Sequence, residues 1–235
     1  MLFCREGAKV VIGARNEDAG ASIAEEVRKD GNGEVLFVKT DVSDPAQVEN
    51  LIQQTLKHFK HVDVLFGNSG ILLSGTAPET SIETWRRTID VNLGGNFYLA
   101  KYGIPALIES GGKTIILTGS ELGTVGASKM VAYCASKGGI INMTRALAID
   151  CAPYGIRVNC LAPGPVATPM LDQMFEQADD PAELEKAQTE FVLLKRFATP
   201  EEIAEVALFL ATDASSYITG AIIVADGGAT AWYGM

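Results

Sequence analysis

Short runs of β-branched and aliphatic residues alternate along the chain with longer stretches of helical periodicity. Lys9–Ile12, Val35–Val38, Val62–Phe66, Thr114–Thr118, Ile156–Leu161 and Ala221–Val224 read as strands. Between them, Glu17–Lys29, Pro45–Phe59, Ser81–Glu109, the helix carrying Tyr133, and Pro200–Ala211 carry the helical pattern. Pro45 stands at an N1-like position, and Pro105 is expected to bend or end the last turn of the long fourth helix. Strands this continuously apolar, each followed by a helix, predict a parallel sheet covered on both faces. No repeat or linker interrupts the alternation, so residues 1–235 are expected to form one domain. The stretch from Asp172 to Glu190 breaks the pattern: it holds seven acidic residues and a single lysine. It reads as a solvated helical excursion or as a mobile lid beyond the strands' carboxyl ends, and both can hold together.

Composition narrows the function. A net charge of −10 argues against a nucleic-acid partner. The apolar runs are far shorter than the ~18 residues of a membrane span, and Met1–Gly7 has no secretory leader pattern. The four cysteines show neither disulfide nor metal-ligand spacing, which predicts reduced thiols, a cytoplasmic location and no metal site. His58 and His61 are expected to be surface residues.

The candidate chemistry lies between Ser120 and Lys137. Ser120 follows a predicted strand, and Tyr133 and Lys137 lie one turn apart on one face of the next helix. A hydroxyl, a phenol and an ammonium converging at a strand's carboxyl end suggest proton transfer. A phenol with pKa ~10 needs ~4 kcal/mol to reach ~7. An ammonium ~4 Å away at an effective dielectric near 20 would supply that much.

The order of these motifs resembles the short-chain dehydrogenase/reductase family over nearly the whole chain. Tyr133-x-x-x-Lys137 is preceded by Ser120 at thirteen residues and by Val91-Asn92-Leu93. Gly67-Asn68-Ser69-Gly70 is a degenerate form of the family's Asn-Asn-Ala-Gly turn. Asn159-x-x-x-Pro163-Gly164-x-Val166-x-Thr168 and Ala225-Asp226-Gly227-Gly228 complete the series. The resemblance implies an α/β, Rossmann-like, doubly wound parallel sheet in three αβα layers. It implies an NAD(P)-dependent oxidoreductase that interconverts a secondary alcohol and a ketone. In that scheme Tyr133 is the general acid/base, Ser120 binds the reacting oxygen, Lys137 also grips the nicotinamide ribose, and Asn92 holds a relay water. Arg15, Asp41, Val42, Asn68, Gly70, Tyr133, Lys137, Pro163, Gly164, Val166 and Thr168 are the implied cofactor-binding set, with Asp41 the adenine contact. Ala14 stands where NAD enzymes of this kind carry an acidic residue, and Arg15 follows it, which favours NADP over NAD. Glu121, Leu122, Pro165, Met170, Leu171 and Phe175 are expected to line the substrate pocket.

One family element has no counterpart. No Gly-x-x-x-Gly-x-Gly occurs in the sequence, and Met1–Gly7 matches the last turn of the family's first helix. The expectation is therefore an N-terminally truncated domain lacking the first, central strand and the glycine-rich turn that holds the pyrophosphate. The rival function is a catalytically silent scaffold that binds no dinucleotide. The family also implies a homo-oligomer, dimer or tetramer, built on Ser81–Glu109 and Ala132–Tyr154, with Ala132, Ala135, Ser136, Gly138 and Gly139 permitting close packing.

Overall fold

The computed structural model describes residues 1–232 except 31, 32, 177 and 179. The strands are β1 (Lys9–Ala14), β2 (Glu34–Lys39), β3 (Val64–Gly67), β4 (Thr114–Thr118), β5 (Arg157–Pro163) and β6 (Ile222–Ala225). The helices are α1 (Leu2–Arg5), α2 (Glu17–Asp30), α3 (Pro45–Phe59), α4 (Ile82–Ile89), α5 (Gly95–Ser110), α6 (Val131–Cys151), α7 (Pro169–Glu176), α8 (Pro181–Phe191) and α9 (Pro200–Ala211). All strand pairs are parallel, as alternation with helices requires.

The strands do not form one continuous sheet. β1 pairs with β2 in one sheet, and β3-β4-β5-β6 form another. Among the described residues β1 and β3 each keep one edge with no strand partner.

The four-stranded sheet holds the core. Ile115 and Leu117 of β4 point to the side where Leu107 of α5 and Ile140, Ile141 and Ala148 of α6 pack. Ile116 and Leu161 point to the other side, against Ala207 and Leu210 of α9. This alternation is the period of two expected of a strand buried on both faces.

Local chemistry sets the helix ends. Asp44 caps α3 by accepting from the Ala46 amide at 2.9 Å, with Pro45 behind it, and Lys60 closes the helix in the left-handed region. Thr199 and Glu202 form a capping box on α9, and Arg196 grips Glu202 through both guanidinium nitrogens at 2.7 and 2.6 Å.

The predicted helix over Ser81–Glu109 is not continuous. Ser81 caps α4, but Asp90–Gly94 form a π-helical turn before α5 begins. Pro105 lies inside α5, which runs on to Ser110 and ends on Gly111 in the left-handed region. The acidic stretch forms two short helices, α7 and α8, with Gln177 and Asp179 outside the described residues. Tyr233, Gly234 and Met235 also lie outside them.

Candidate active site

Ser120 ends the loop after β4 and caps the 3-10 turn Glu121–Gly123, its Oγ accepting from the Leu122 amide at 3.2 Å. Gly123 lets that turn lie flat on α6. A Cβ there would stand 2.9 Å from the Lys137 carbonyl and 2.7 Å from Ile141 Cδ1. Ser120 is thereby held beside the first turns of α6, near enough to the Tyr133 phenol for its hydroxyl to favour the phenolate.

Lys137 is buried, and its Nζ donates to the Thr118 carbonyl at 2.8 Å. The same Nζ stands 5.5 Å from the Tyr133 ring centroid. Burial lowers the Lys137 ammonium to about 8. Burial raises the Tyr133 phenol to about 12, more than Ser120's hydrogen bond pulls it down. Here the loss of water around the phenolate outweighs any pull from the Lys137 ammonium.

Asn92 sits in the π turn and is fully buried. Its Oδ1 accepts from the Ile71 amide at 2.8 Å, and its Nδ2 donates to the Ile71 carbonyl and to Ser136 Oγ, both at 3.0 Å. The Asn92 carbonyl accepts from Asn96 Nδ2 at 2.6 Å. The side-chain amide of Asn92 thus fastens the loop after β3 to α6. Ser136, assigned from sequence to a subunit contact, faces Asn92, and Gly139 packs on Leu93.

A cleft of about 510 Å³ opens beyond the carboxyl ends of β1, β2 and β3. Arg15, Asp41, Val42 and Gly70 of the predicted cofactor set line it. A Cβ at Gly70 would lie 3.6 Å from Lys137 Nζ and 3.4 Å from Asn92 Oδ1, so this part of the cleft wall lies directly against those two side chains. Asn68 stands beside it, its Oδ1 accepting from Thr118 Oγ1 at 3.1 Å.

Asp41 is bound within its own chain. It accepts from the Ser43 amide and hydroxyl at 3.0 and 2.6 Å, and from Arg87 Nη2 at 3.2 Å. These partners, Ser43 foremost, hold its carboxyl at about 2. Arg87 lines the cleft as well and escapes sequence reasoning, because its partner lies 46 residues away.

Pro163, Gly164, Val166 and Thr168 do not line this cleft. They follow β5, where Gly164 donates to the Ala225 carbonyl at 3.0 Å and packs so tightly on Asp226 that a Cβ would lie 2.7 Å from its Cα. Val166 forms a bridge with Ala198. Among the pocket-lining expectations, Phe175 is buried and stacks on Phe197 at 5.9 Å. Met170 is exposed.

Two residues next to the site carry shifted groups. Glu121 receives the Ser120 hydroxyl proton at 2.7 Å, and burial raises its carboxyl above the ordinary value. Burial likewise raises the Cys160 thiol. All four cysteines are free, and no metal-binding group of His, Cys, Asp or Glu occurs among the described residues. No helix is long and apolar enough to cross a membrane among those residues. His58 and His61 are exposed and pair with Glu34 and Asp63.

The sequence profile of the family described as enoyl-(acyl carrier protein) reductase matches residues 1–230. The chain is 37% identical to meso-2,3-butanediol dehydrogenase of Serratia marcescens, over 97% of this chain and 87% of that protein. It is 38% identical to trans-4-hydroxycyclohexanecarboxylate dehydrogenase of Sinomonas cyclohexanicum, over 98% of this chain and 86% of the relative. A short-chain dehydrogenase/reductase structure from Burkholderia xenovorans superposes with a TM-score of 0.94 at 31% identity, covering 99% of this chain and 89% of that one. These alignments take in almost the whole chain and lend no support to the expected absence of an opening strand and glycine-rich turn. Nor do oxidoreductase relatives favour the silent scaffold. With its sheet order, its motif series and these relatives in agreement, the chain belongs to the short-chain dehydrogenase/reductase family of oxidoreductases.

Proposed function

We propose that the protein interconverts a secondary alcohol and a ketone with a nicotinamide dinucleotide, Tyr133 serving as general acid/base. The observation that carries this reading is the grouping of Ser120, Tyr133 and Lys137, with Lys137 close behind Gly70, which lines the cleft. The relatives, named as a meso-2,3-butanediol dehydrogenase and a trans-4-hydroxycyclohexanecarboxylate dehydrogenase, support the reaction class.

The residues present suit the dinucleotide. The cleft runs from Arg15 past Asp41 and Val42 to Gly70, and Lys137 lies close behind Gly70. Arg15 and Arg87 would face its adenosine half, and Lys137 its nicotinamide ribose. When bound, that group supplies or accepts the hydride. Protonated at neutral pH, Tyr133 is ready to donate to the oxygen of a ketone being reduced. In the oxidative direction it has to lose that proton first, and the positive charge of Lys137 favours the phenolate. Ser120 orients the reacting oxygen. Asn92 acts as a positioning residue, holding Ile71 and Ser136 in place around the site.

Ala14 carries no carboxylate for a ribose 2′-hydroxyl, and Arg15 beside it suits a 2′-phosphate, so NADP(H) is the preferred form. A tenfold higher kcat/KM with NAD would overturn that preference. The exposed Phe97 and Ile149, 51% and 74% accessible, support a homo-oligomer through α5 and α6, which a monomeric mass in solution would refute. A cytoplasmic location rests on the unpaired cysteines. The decisive assay follows nicotinamide absorbance with a panel of ketones and alcohols. Tyr133→Phe is expected to lose at least 100-fold in kcat with an unchanged unfolding midpoint; undiminished turnover would refute the mechanism.

A further inference from the structure

Ser120 has one hydroxyl proton, and the structure commits it. Ser120 Oγ donates to Glu121 Oε2 at 2.7 Å while accepting from the Leu122 amide at 3.2 Å. Yet a substrate oxygen at this site needs that proton. A plain ketone or alcohol can have it only by stripping a half-buried carboxylate of its side-chain donor. No cation lies within 4 Å of Glu121 among the described residues to compensate it. The charged groups around it are the Tyr133 phenol and Lys137 ammonium of α6 and the Asp226 carboxylate beyond β6. Asp226 repels the charge on Glu121, so a lost hydrogen bond is not made good from that side.

One substrate class resolves the conflict. The two oxygens of a gauche vicinal diol stand about 2.8 Å apart, within the O–H···O range. That separation matches the 2.7 Å between Ser120 Oγ and Glu121 Oε2. We propose that Glu121 is the specificity-determining residue of this site and selects 1,2-diols and α-hydroxy ketones. The second hydroxyl of the substrate donates to the Glu121 carboxylate and replaces Ser120 there. Ser120 is then free to turn its proton to the reacting oxygen. In the oxidative direction, the C–H bond of the reacting carbinol breaks, its electron pair leaving as hydride to the oxidised nicotinamide. The O–H proton of that carbinol passes to the Tyr133 phenolate, a ketone forms, and the second hydroxyl is unchanged. The same carboxylate repels substrates that carry an anionic group next to the reacting carbon.

The inference rests on the oxidoreductase reading, and the experiment separates the two. The purified protein is assayed with NADP(H) and NAD(H) on matched pairs: acetoin against 2-butanone for reduction, meso-2,3-butanediol against 2-butanol for oxidation. The expected result is a kcat/KM at least tenfold higher for the hydroxylated member of each pair, with most of the difference in KM. Glu121→Leu is expected to bring that ratio to within threefold of unity, raising activity on 2-butanone while lowering it on acetoin. Glu121→Gln keeps the shape and an acceptor oxygen but no charge, and is expected to fall between the two. In the wild type the preference is also expected to weaken at acid pH as Glu121 takes up a proton, and in Glu121→Gln to be independent of pH. Turnover of both members at equal efficiency by the wild type, or an unchanged ratio in Glu121→Leu, overturns the proposal and leaves the oxidoreductase reading standing. Absence of turnover on all four compounds with either nucleotide overturns both.

Discussion

Replacing Lys137 by Met separates what this buried cation does for chemistry from what it does for stability. The ammonium lies 5.5 Å from the centroid of the Tyr133 ring. The phenolate charge sits on the oxygen at the end of that ring, and at an effective dielectric near 20 an ammonium roughly 6 Å away favours it by ~3 kcal/mol. Removing it is worth about two pH units on the phenol, or roughly a hundredfold fewer phenolates at neutral pH. Oxidation of an alcohol, which needs the phenolate, is expected to fall by that factor. The acidic, rising limb of its pH–rate profile should move up by about two units. Folding responds differently. Burial lowers the Lys137 pKa from 10.5 to about 8, so the folded state binds this proton less tightly than the unfolded chain. Keeping Lys137 charged therefore costs the native state ~3 kcal/mol below pH 8, a penalty that fades as pH rises toward 10.5. Met escapes it but strands the Thr118 carbonyl, a loss of ~1.5–3 kcal/mol. The two nearly cancel at neutral pH, so the variant should be close to wild type in urea while losing activity. Between pH 8 and 10, before Tyr133 titrates in the unfolded chain, wild type should gain stability relative to Lys137→Met. An unmoved pH–rate limb would refute the electrostatic role, and a pH-independent stability difference would refute the buried-ammonium argument.

Two substitutions test the scaffold of the site. Asn92→Leu leaves the Ile71 amide and carbonyl without their partners in a buried setting, which should cost ~3–5 kcal/mol in urea unfolding; a loss below ~1 kcal/mol would mean that the Ile71 loop is held by something else. Arg157→Met removes donors to the Leu210 and Thr212 carbonyls at 3.0 and 3.2 Å and to Thr114 Oγ1 at 2.8 Å, so the end of α9 loses its anchor. The expected destabilisation is ~3 kcal/mol, read as a lowered urea midpoint, and an unchanged midpoint would show that water replaces the guanidinium there.

The parts of the molecule legible in the sequence are those fixed by local rules. Tyr133 and Lys137 share a face because helical spacing puts them there, and the alternation of Ile115, Ile116 and Leu117 between two packed layers follows from the strand repeat. What escaped depends on partners remote in the chain. The π turn at Asp90–Gly94 leaves the apolar pattern of a long helix intact and shows itself only through the bonds Asn92 makes to Ile71 and Ser136. The phenol's raised pKa was out of reach for the same reason. Motif spacing supplies the lysine, whereas the 5.5 Å separation and the burial of Tyr133 are products of tertiary packing.

The division into two sheets also divides the labour of the site. Ser120 and Lys137 stand on the four-stranded sheet and its helix α6, and Asn92 ties the loop after β3 to that same body. The proton-transfer groups therefore keep their mutual geometry without help from β1 and β2. The cleft, by contrast, has Ala14, Arg15 and Thr40 on one wall and Gly70, Ile71 and Val91 on the other, so its shape depends on how the two sheets sit together. A ligand spanning it touches both sheets, and its binding energy adds to the contact between α3 and α5 that already bridges them. On the proposed reading the proton-transfer groups are preorganised on the larger sheet, and binding of a dinucleotide would require the two sheets to act together.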